Sequence, residues 1–293
     1  MSRTTPAPTP LDHAPTAHVA APEALSLATT PEERTASDHA AIYDDRYRRG
    51  YRLERHGYEF ARAASLKHLL RRHVAPTTPR DVLDFGAGNG LFLDVVRAAL
   101  PDAALRACDV SAEAVQQLCR SWGDAVDARV MIGDVAPFPD ASFDAVVSVE
   151  VLEHVGDAGA TLREIARLLR PGGLLALTTP CANAGSLEHL VAAATRRIER
   201  SRTGERRWTW EDPTHLRRMT ARELRHALHA AGFGQVRFRY RAHALSYLCT
   251  PIVEGRFRRL AELAMAAEYT LLRRLPNAAS MLVLARRADG SDA

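Results

Sequence analysis

Three residues in the stretch VEVLEHV, Glu150, Glu153 and His154, fall at i, i+3 and i+4. If the chain turns helically there, their side chains converge on one side. Two carboxylates and an imidazole are suitable ligands for a divalent cation of the Mg2+ or Mn2+ type. Without a metal, His154 could serve as a general base or touch the substrate, with Glu153 beside it. His215, in DPTHLRRMTARELRHAL, is a fourth candidate ligand, and Thr220-x-x-Glu223 just beyond it is a capping box that opens a helix. Such a group would lower the proton affinity of a bound hydroxyl and fix its orientation.

A second constellation lies upstream, in VLDFGAGNG (Val82 to Gly90). Asp81 to Phe85 reads as a short buried strand and Leu91 to Leu100 as a helix. Gly86, Gly88 and Gly90 between them allow a tight turn and a ligand lying against the main chain. In open α/β sheets that crevice, at the carboxyl ends of the strands, is where ligands bind. The spacing is GxGxG, whereas dinucleotide sites use GxGxxG, which argues against an NAD-dependent oxidoreductase, the alternative from another enzyme class. A second strand, Ala104 to Ala107, leads to Asp109 and Val110, and an acid there can accept hydrogen bonds from both hydroxyls of a ribose. A third, Arg129 to Ile132, runs into Asp134 and Val135, a carboxylate and an apolar side chain suited to an adenine.

Positioning these groups requires alternating strands and helices. Phe143 to Val149 and Gly173 to Thr179 are further strand candidates, separated by an amphipathic helix, Leu162 to Leu169, that Arg170-Pro171-Gly172-Gly173 stops. This alternation predicts an α/β fold with a parallel sheet. Upstream, Tyr43, Tyr47 and Tyr51 are spaced by four on a helical segment, a stripe that is ordinarily packing.

In this order and spacing, VLDFGAGNG, ACDVS, IGDVAPFPDASFDAVVSVEVLEHV and LLRPGGLLALTTP resemble the class I S-adenosylmethionine-dependent methyltransferases, from roughly Tyr43 to Arg287. The resemblance implies a Rossmann-like, seven-stranded, mostly parallel sheet with helices on both faces, the last strand antiparallel, and helical cap elements. Strands six and seven would be Gln235 to Tyr240 and Ser280 to Ala285. It implies that Asp84, Gly86, Gly88 and Gly90 hold the methionine part of the cofactor, Asp109 with neighbouring Val110 the ribose, and Asp134 with Val135 the adenine. Tyr43 and Tyr47 become candidate lid residues. The ExxEH pattern of Glu150, Glu153 and His154 is similar to that of ubiquinone-pathway O-methyltransferases and of enzymes that methylate the terminal ribose of small RNAs. In the RNA enzymes a His stands five residues before the Thr of the next helix, as His215 does. The chain departs from them at Val155, where they carry a second His, and at Arg217-Arg218-Met219, where they carry aromatic residues. The expectation is O-methylation of a small molecule or glycan precursor, with RNA 2′-O-methylation and N- or C-methylation as alternatives.

Composition narrows the setting. At 293 residues and 46% hydrophobic content the chain can bury one substantial core. The expected divisions are a disordered tail (1–36), a helical lid (37–80), the methyltransferase domain (81–287) with helical insertions near 186–212 and 252–275, and a C-terminal tail (288–293). The first 36 residues are rich in Pro, Ala and Thr and lack the pattern of an export signal, and no run approaches the ~18 apolar residues of a membrane span. A cytoplasmic enzyme is expected, with Cys108, Cys119, Cys181 and Cys249 as buried free thiols. Lys67 is the only lysine among 39 basic residues, a skew that suggests a GC-rich bacterial genome. Arginines concentrate in Arg196 to Arg218 and Arg237 to Arg259, so an anionic acceptor would fit, against a solvated positive face as the plain alternative. Ile252 to Leu275 has apolar positions at helical spacing. Core packing is the expectation there, with a pocket cover, a dimer interface or an anionic membrane contact as alternatives.

Overall fold

The computed structural model describes residues 36–52, 54, 55, 57, 59–200, 204–249, 251, 252 and 256–289. The tail expected over 1–36 lies outside them except for Ala36, and the C-terminal tail does so from 290 onward. Five strands, β1 (Asp81–Phe85), β2 (Ala104–Asp109), β3 (Asp127–Val130), β4 (Phe143–Val149) and β5 (Leu169–Pro180), run parallel in the order β3-β2-β1-β4-β5. A later pair, β8 (Phe233–Arg241) and β9 (Ser280–Arg287), completes a seven-stranded sheet, with β9 inserted antiparallel between β5 and β8. The expected fold, including the reversed last strand, is therefore present.

Helices cover both faces. Those between the strands are α3 (Leu93–Ala99), α4 (Ala112–Trp122), α5 (Ala158–Leu168) and α7 (Ala221–Ala230). Ser111 caps α4 and Asp157 caps α5, each accepting a backbone N–H with its side-chain oxygen. The Thr220–Glu223 capping box forms at the start of α7. One core layer gathers Phe85, Phe143, Leu162, Leu224 and Phe233; the other gathers Leu66, Leu70, Val82, Val96 and Leu282.

Four boundaries differ from the sequence reading. Of the expected lid, only α1 (Ala36–Arg48) lies over the carboxyl ends of the strands; α2 (Glu59–Leu69) buries Leu66 and Leu69 in the core. The RPGG segment ends α5 but already belongs to β5, because Arg170 pairs with Asp144 and Asp81 and Leu169 pairs with Phe143. The insertion after β5 is helical only in α6 (Leu187–Ala194), followed by a hairpin of β6 (Ile198–Arg200) and β7 (Arg206–Trp208). The second insertion holds a short α8 (Leu245–Cys249) and α9 (Arg258–Leu272), whose Ala261, Met265 and Tyr269 are buried while Leu260, Leu263 and Leu271 face outward. All four cysteines are free, but Cys119 is exposed, on the solvent side of amphipathic α4. Among the described residues no helix is long and apolar enough to cross a membrane.

Candidate active site

The turn after β1 bends back so that the N–H groups of Gly86 and Ala87 donate to Cys108 O at 2.9 and 3.0 Å. Gly86 and Gly88 have φ of +73° and +56°, a region in which side chains are strained. A Cβ on Gly88 would stand 2.3 Å from the Tyr47 hydroxyl, and one on Gly86 2.4 Å from Val151 Cγ2. The chain therefore needs bare backbone here. Both glycines border a cavity of about 110 Å3 at the carboxyl ends of β1, β2 and β4. Gly90 does not: the space its missing side chain leaves is bordered by Leu93, Leu118 and Trp122.

Asp84 and Asp109 face this cavity from the ends of β1 and β2. Asp84 is buried and accepts no hydrogen bond from the described residues; burial, then the Asp109 charge, pushes its carboxyl up to about 7. A carboxylate so placed favours an incoming cation. Asp109 accepts from Gly88 N at 2.7 Å and Ser111 N at 2.9 Å, yet burial still holds it above the usual carboxyl range. Val110 and Asp134 also line the cavity. Val135 is 55% exposed and outside it, because Ile132 and Val135 pair in a solvated turn beyond edge strand β3; Met131 supplies the apolar contact instead.

Helix α1 roofs the cavity with Tyr43 and Tyr47. One end is tied to α4, where Asp44 accepts from Ser111 Oγ at 2.6 Å and Glu113 N at 3.0 Å, and Gln117 donates to Tyr47 O at 3.0 Å. The other edge is tied to the loop before α7. Tyr43 donates to Thr214 Oγ1 at 3.2 Å, and Arg46 binds both carboxylate oxygens of Asp212 and, at 3.1 Å, Thr214 Oγ1. Tyr43 and Tyr47 thus close over a cavity bordered by Asp84, Gly86, Gly88 and Asp109.

The acidic and histidine residues follow β4. Glu150 Oε2 accepts from Arg62 at 2.9 Å, Oε1 accepts from Thr178 Oγ1 at 2.9 Å, and Arg241 lies 3.6 Å away. Burial would raise its carboxyl, but Arg62 and Arg241 outweigh that and hold it low. Glu153 is fully buried; Oε2 accepts from Thr179 at 3.1 Å, while Oε1 has no hydrogen-bond partner among the described residues. Burial and the Glu150 charge push the Glu153 carboxyl above its usual range.

His154 stays neutral: burial, then the neighbouring His215 and Arg52, lowers it to about 3. With the Thr214 hydroxyl donating to Asp212 at 2.7 Å, His154 Nδ1 lies 3.1 Å from that hydroxyl oxygen and 3.2 Å from the Thr214 carbonyl, an arrangement that favours the proton on Nδ1 and the lone pair on Nε2. His215 lies with its ring 4.7 Å from His154 and its Nδ1 3.4 Å from Glu211. Burial opposes its protonation, but Glu211 and Glu153 prevail and raise it. One ligand atom each from Glu153, His154 and His215 lies within 4.8 Å of the others. The expected fourth member, Glu150, is corrected to a structural ion pair, since Arg62 and Arg241 occupy its carboxylate.

His154 faces the roofed cavity, whereas His215 faces a second one of about 410 Å3. Arg52, Tyr51 and Glu150 border both. Of the arginines expected to mark an anionic acceptor, those around the second cavity and the hairpin are paired: Arg218 with Glu188 and Glu211, Arg217 with Glu205, Arg206 with Glu223 and Arg207 with Glu199. The sequence reading missed Arg46, Asp212 and Thr214. The Asp-Pro-Thr segment carried a signal for them, an Asx turn in which Thr214 N donates to Asp212 Oδ1 at 2.9 Å.

Residues 55–237 match a family described as a methyltransferase domain. The chain is 32% identical, over 77% of its length and 67% of the other's, to a Mycobacterium tuberculosis protein described as a probable S-adenosylmethionine-dependent methyltransferase. It is 34% identical to a ubiquinone biosynthesis O-methyltransferase of Parvibaculum lavamentivorans, over 37% of this chain and 43% of that one. Its fold is similar to the solved structure of the [4+2]-cyclase SpnF, with a TM-score of 0.52, 21% identity, and 77% of this chain and 80% of that one covered.

Proposed function

The chain belongs to the S-adenosylmethionine-dependent methyltransferases, and on that premise we propose that it methylates a hydroxyl of a small-molecule or glycan acceptor, aided by a divalent cation. The observation that carries this reading is the convergence of buried Glu153 with His154, which lines one cavity, and His215, which lines the other.

Bound S-adenosylmethionine supplies a methyl group on a sulfonium that is its own leaving group. Asp84, a buried carboxylate without a protein donor, suits the cofactor's ammonium, and the bare backbone of Gly86 and Gly88 suits close approach of its methionine part. Asp109 receives the ribose hydroxyls while the N–H groups of Gly88 and Ser111 keep it oriented. Val110, Met131 and Asp134, which line the cavity, would hold the adenine, and Tyr43 and Tyr47 above them would exclude water. Alignment of nucleophile, methyl and sulfur is the main catalytic task.

A neutral hydroxyl is a poor nucleophile, and its proton must leave. A cation held by Glu153, His154 and His215 would lower that proton's affinity and fix the oxygen. Two imidazoles and one carboxylate suit Mn2+ or another first-row transition ion better than Mg2+. A metal-free second reading rests on the orientation of His154: with Nδ1 held by Thr214, Nε2 can accept a hydrogen bond from the acceptor hydroxyl and orient it, while burial, which lowers the imidazole to about 3, makes it a weak base. RNA gains little support at the second cavity, where Arg218 is paired with Glu188 and Glu211.

Mn2+ titration of the full chain loaded with S-adenosylhomocysteine, followed by electron paramagnetic resonance, tests the cation. One bound ion is expected, with affinity at least tenfold weaker in His215→Ala. No bound ion, or the same affinity in His215→Ala, would leave the metal-free reading.

A further inference from the structure

Helix α9 is amphipathic in an unusual sense, because its outward face is apolar. Leu260, Leu263 and Leu271 are 66%, 67% and 79% exposed, and just before it Phe257 is 52% exposed. Positions 260, 263, 267 and 271 lie along one stripe of a 3.6-residue helix. Inward-facing Ala261, Met265 and Tyr269 already provide its packing, so the stripe is surplus to the fold. Contiguous exposed apolar surface of this kind marks an interaction site.

The charges beside the stripe identify the partner. Residues 256–275 contain five arginines and two acids, Glu262 and Glu268. Glu262 pairs with Arg258, and Glu268 is buried, accepting from Ala244 N, Leu245 N and Ser246 Oγ at the start of α8. Arg256, Arg259 and Arg274 have no carboxylate partner among the described residues and are exposed. Pairing of two copies across this stripe would set cation against cation. An anionic lipid surface satisfies both the leucines and the arginines.

We propose that the α8–α9 face seats the enzyme on an anionic membrane surface, with the second cavity at that surface. Through Glu268 the stripe is fixed to α8, where Leu248 is 67% exposed while Ser246 and Tyr247 line the second cavity. On the opposite lip, α6 lends Glu188 to the same cavity and leaves Leu190 57% exposed. Both lips thus carry exposed leucines, which fits an acceptor anchored in a lipid layer and presenting its hydroxyl to the cavity. That acceptor class rests on the methyl-transfer reading given above; the docking does not.

Flotation of the full chain with phosphatidylglycerol-containing vesicles, and with phosphatidylcholine vesicles alone, tests the docking directly. Binding to the anionic vesicles is expected, weakening with salt. Each arginine contributes roughly fivefold, so Arg256→Gln/Arg259→Gln/Arg274→Gln should lower partitioning by about a hundredfold. Leu260→Asp/Leu271→Asp should abolish it while S-adenosylhomocysteine affinity stays unchanged. Equal partitioning to both vesicle types, unchanged partitioning of the leucine variant, or a dimer in solution that this variant dissociates, would overturn the proposal. Retained docking without methyl transfer to any lipid-anchored hydroxyl would overturn the acceptor class alone.

Discussion

Glu150 and Glu153 are both buried and three residues apart, yet replacing each by glutamine should shift stability in opposite directions. Glu150 lies 2.9 Å from Arg62 and 3.6 Å from Arg241, whose side chains are only 3% and 1% exposed. At an effective dielectric of ~20 these separations correspond to roughly 6 and 5 kcal/mol of gross attraction, most of it offsetting desolvation. Glu150→Gln removes both attractions while Arg62 keeps Glu59 at 3.6 Å, so a loss of about 3 kcal/mol is expected. The carboxyl of Glu153 is raised by burial and by Glu150. An acid raised in the folded state penalises folding above its unfolded pKa, and the penalty is relieved as pH falls through the folded value. Glu153→Gln removes that penalty while retaining an oxygen for the Thr179 hydroxyl, so the variant should be as stable as the parent or more so. Urea unfolding near neutral pH measures both. Mn2+ binding by the same proteins separates the roles: Glu153→Gln should lose it, and Glu150→Gln should retain it wherever the protein is folded. A Glu153→Gln variant as unstable as Glu150→Gln would refute this division of labour, as would a stably folded Glu150→Gln that no longer binds the ion.

Mn2+ affinity should rise with pH through the neutral region, because Glu153 and His215 both hold protons above their usual ranges and must release them to bind; calorimetry giving a flat profile would count against the ligand set. The His215 contribution to stability has the opposite sense: its protonated form, paired with Glu211, stabilises the fold below the unfolded imidazole value, and this is lost as pH rises through the raised one. Gly88→Ala should cost ~1–2 kcal/mol in left-handed strain, and more where it meets the Tyr47 hydroxyl, with S-adenosylhomocysteine affinity falling at least tenfold. In a Tyr47→Phe background the stability loss should shrink toward the strain alone, and identical losses in both backgrounds would deny the contact. Arg46→Ala should speed amide exchange in α1 and S-adenosylhomocysteine release by about tenfold, since Arg46 joins α1 to Asp212; unchanged exchange would show that α1 is held elsewhere.

What the sequence discloses about this protein is mostly local. The strand-to-glycine turn, Asp109 at the end of the next strand and the Thr220–Glu223 box each depend on residues within a few positions, and each forms where expected. Glu150 was misread because its partners, Arg62 and Arg241, come from α2 and β8, and only the folded sheet brings them to β4. Gly90 and Val135 lie outside the cavity lining for a related reason: Leu93, Leu118 and Trp122 pack against Gly90, and Val135 is solvated beyond an edge strand, neither of which spacing discloses. The β6–β7 hairpin was hidden in an arginine-rich run whose cross-strand partner Glu199 pairs with Arg207. The outward leucines of α9 have helical periodicity whether they face the core or solvent, so periodicity alone could not show which.

The double attachment of α1 acts as an interlock. The helix that shuts the cofactor chamber reaches Thr214 through Tyr43 and Arg46, and the Thr214 carbonyl fixes the imidazole of His154. Lifting the roof to admit or discharge a nucleoside therefore also frees the loop that aims the imidazole. Closure of the chamber and orientation of the His154 imidazole are thereby coupled through one residue, Thr214. The expected consequence is ordered binding, methyl donor before acceptor; product-inhibition kinetics checks it, and random addition would refute the coupling.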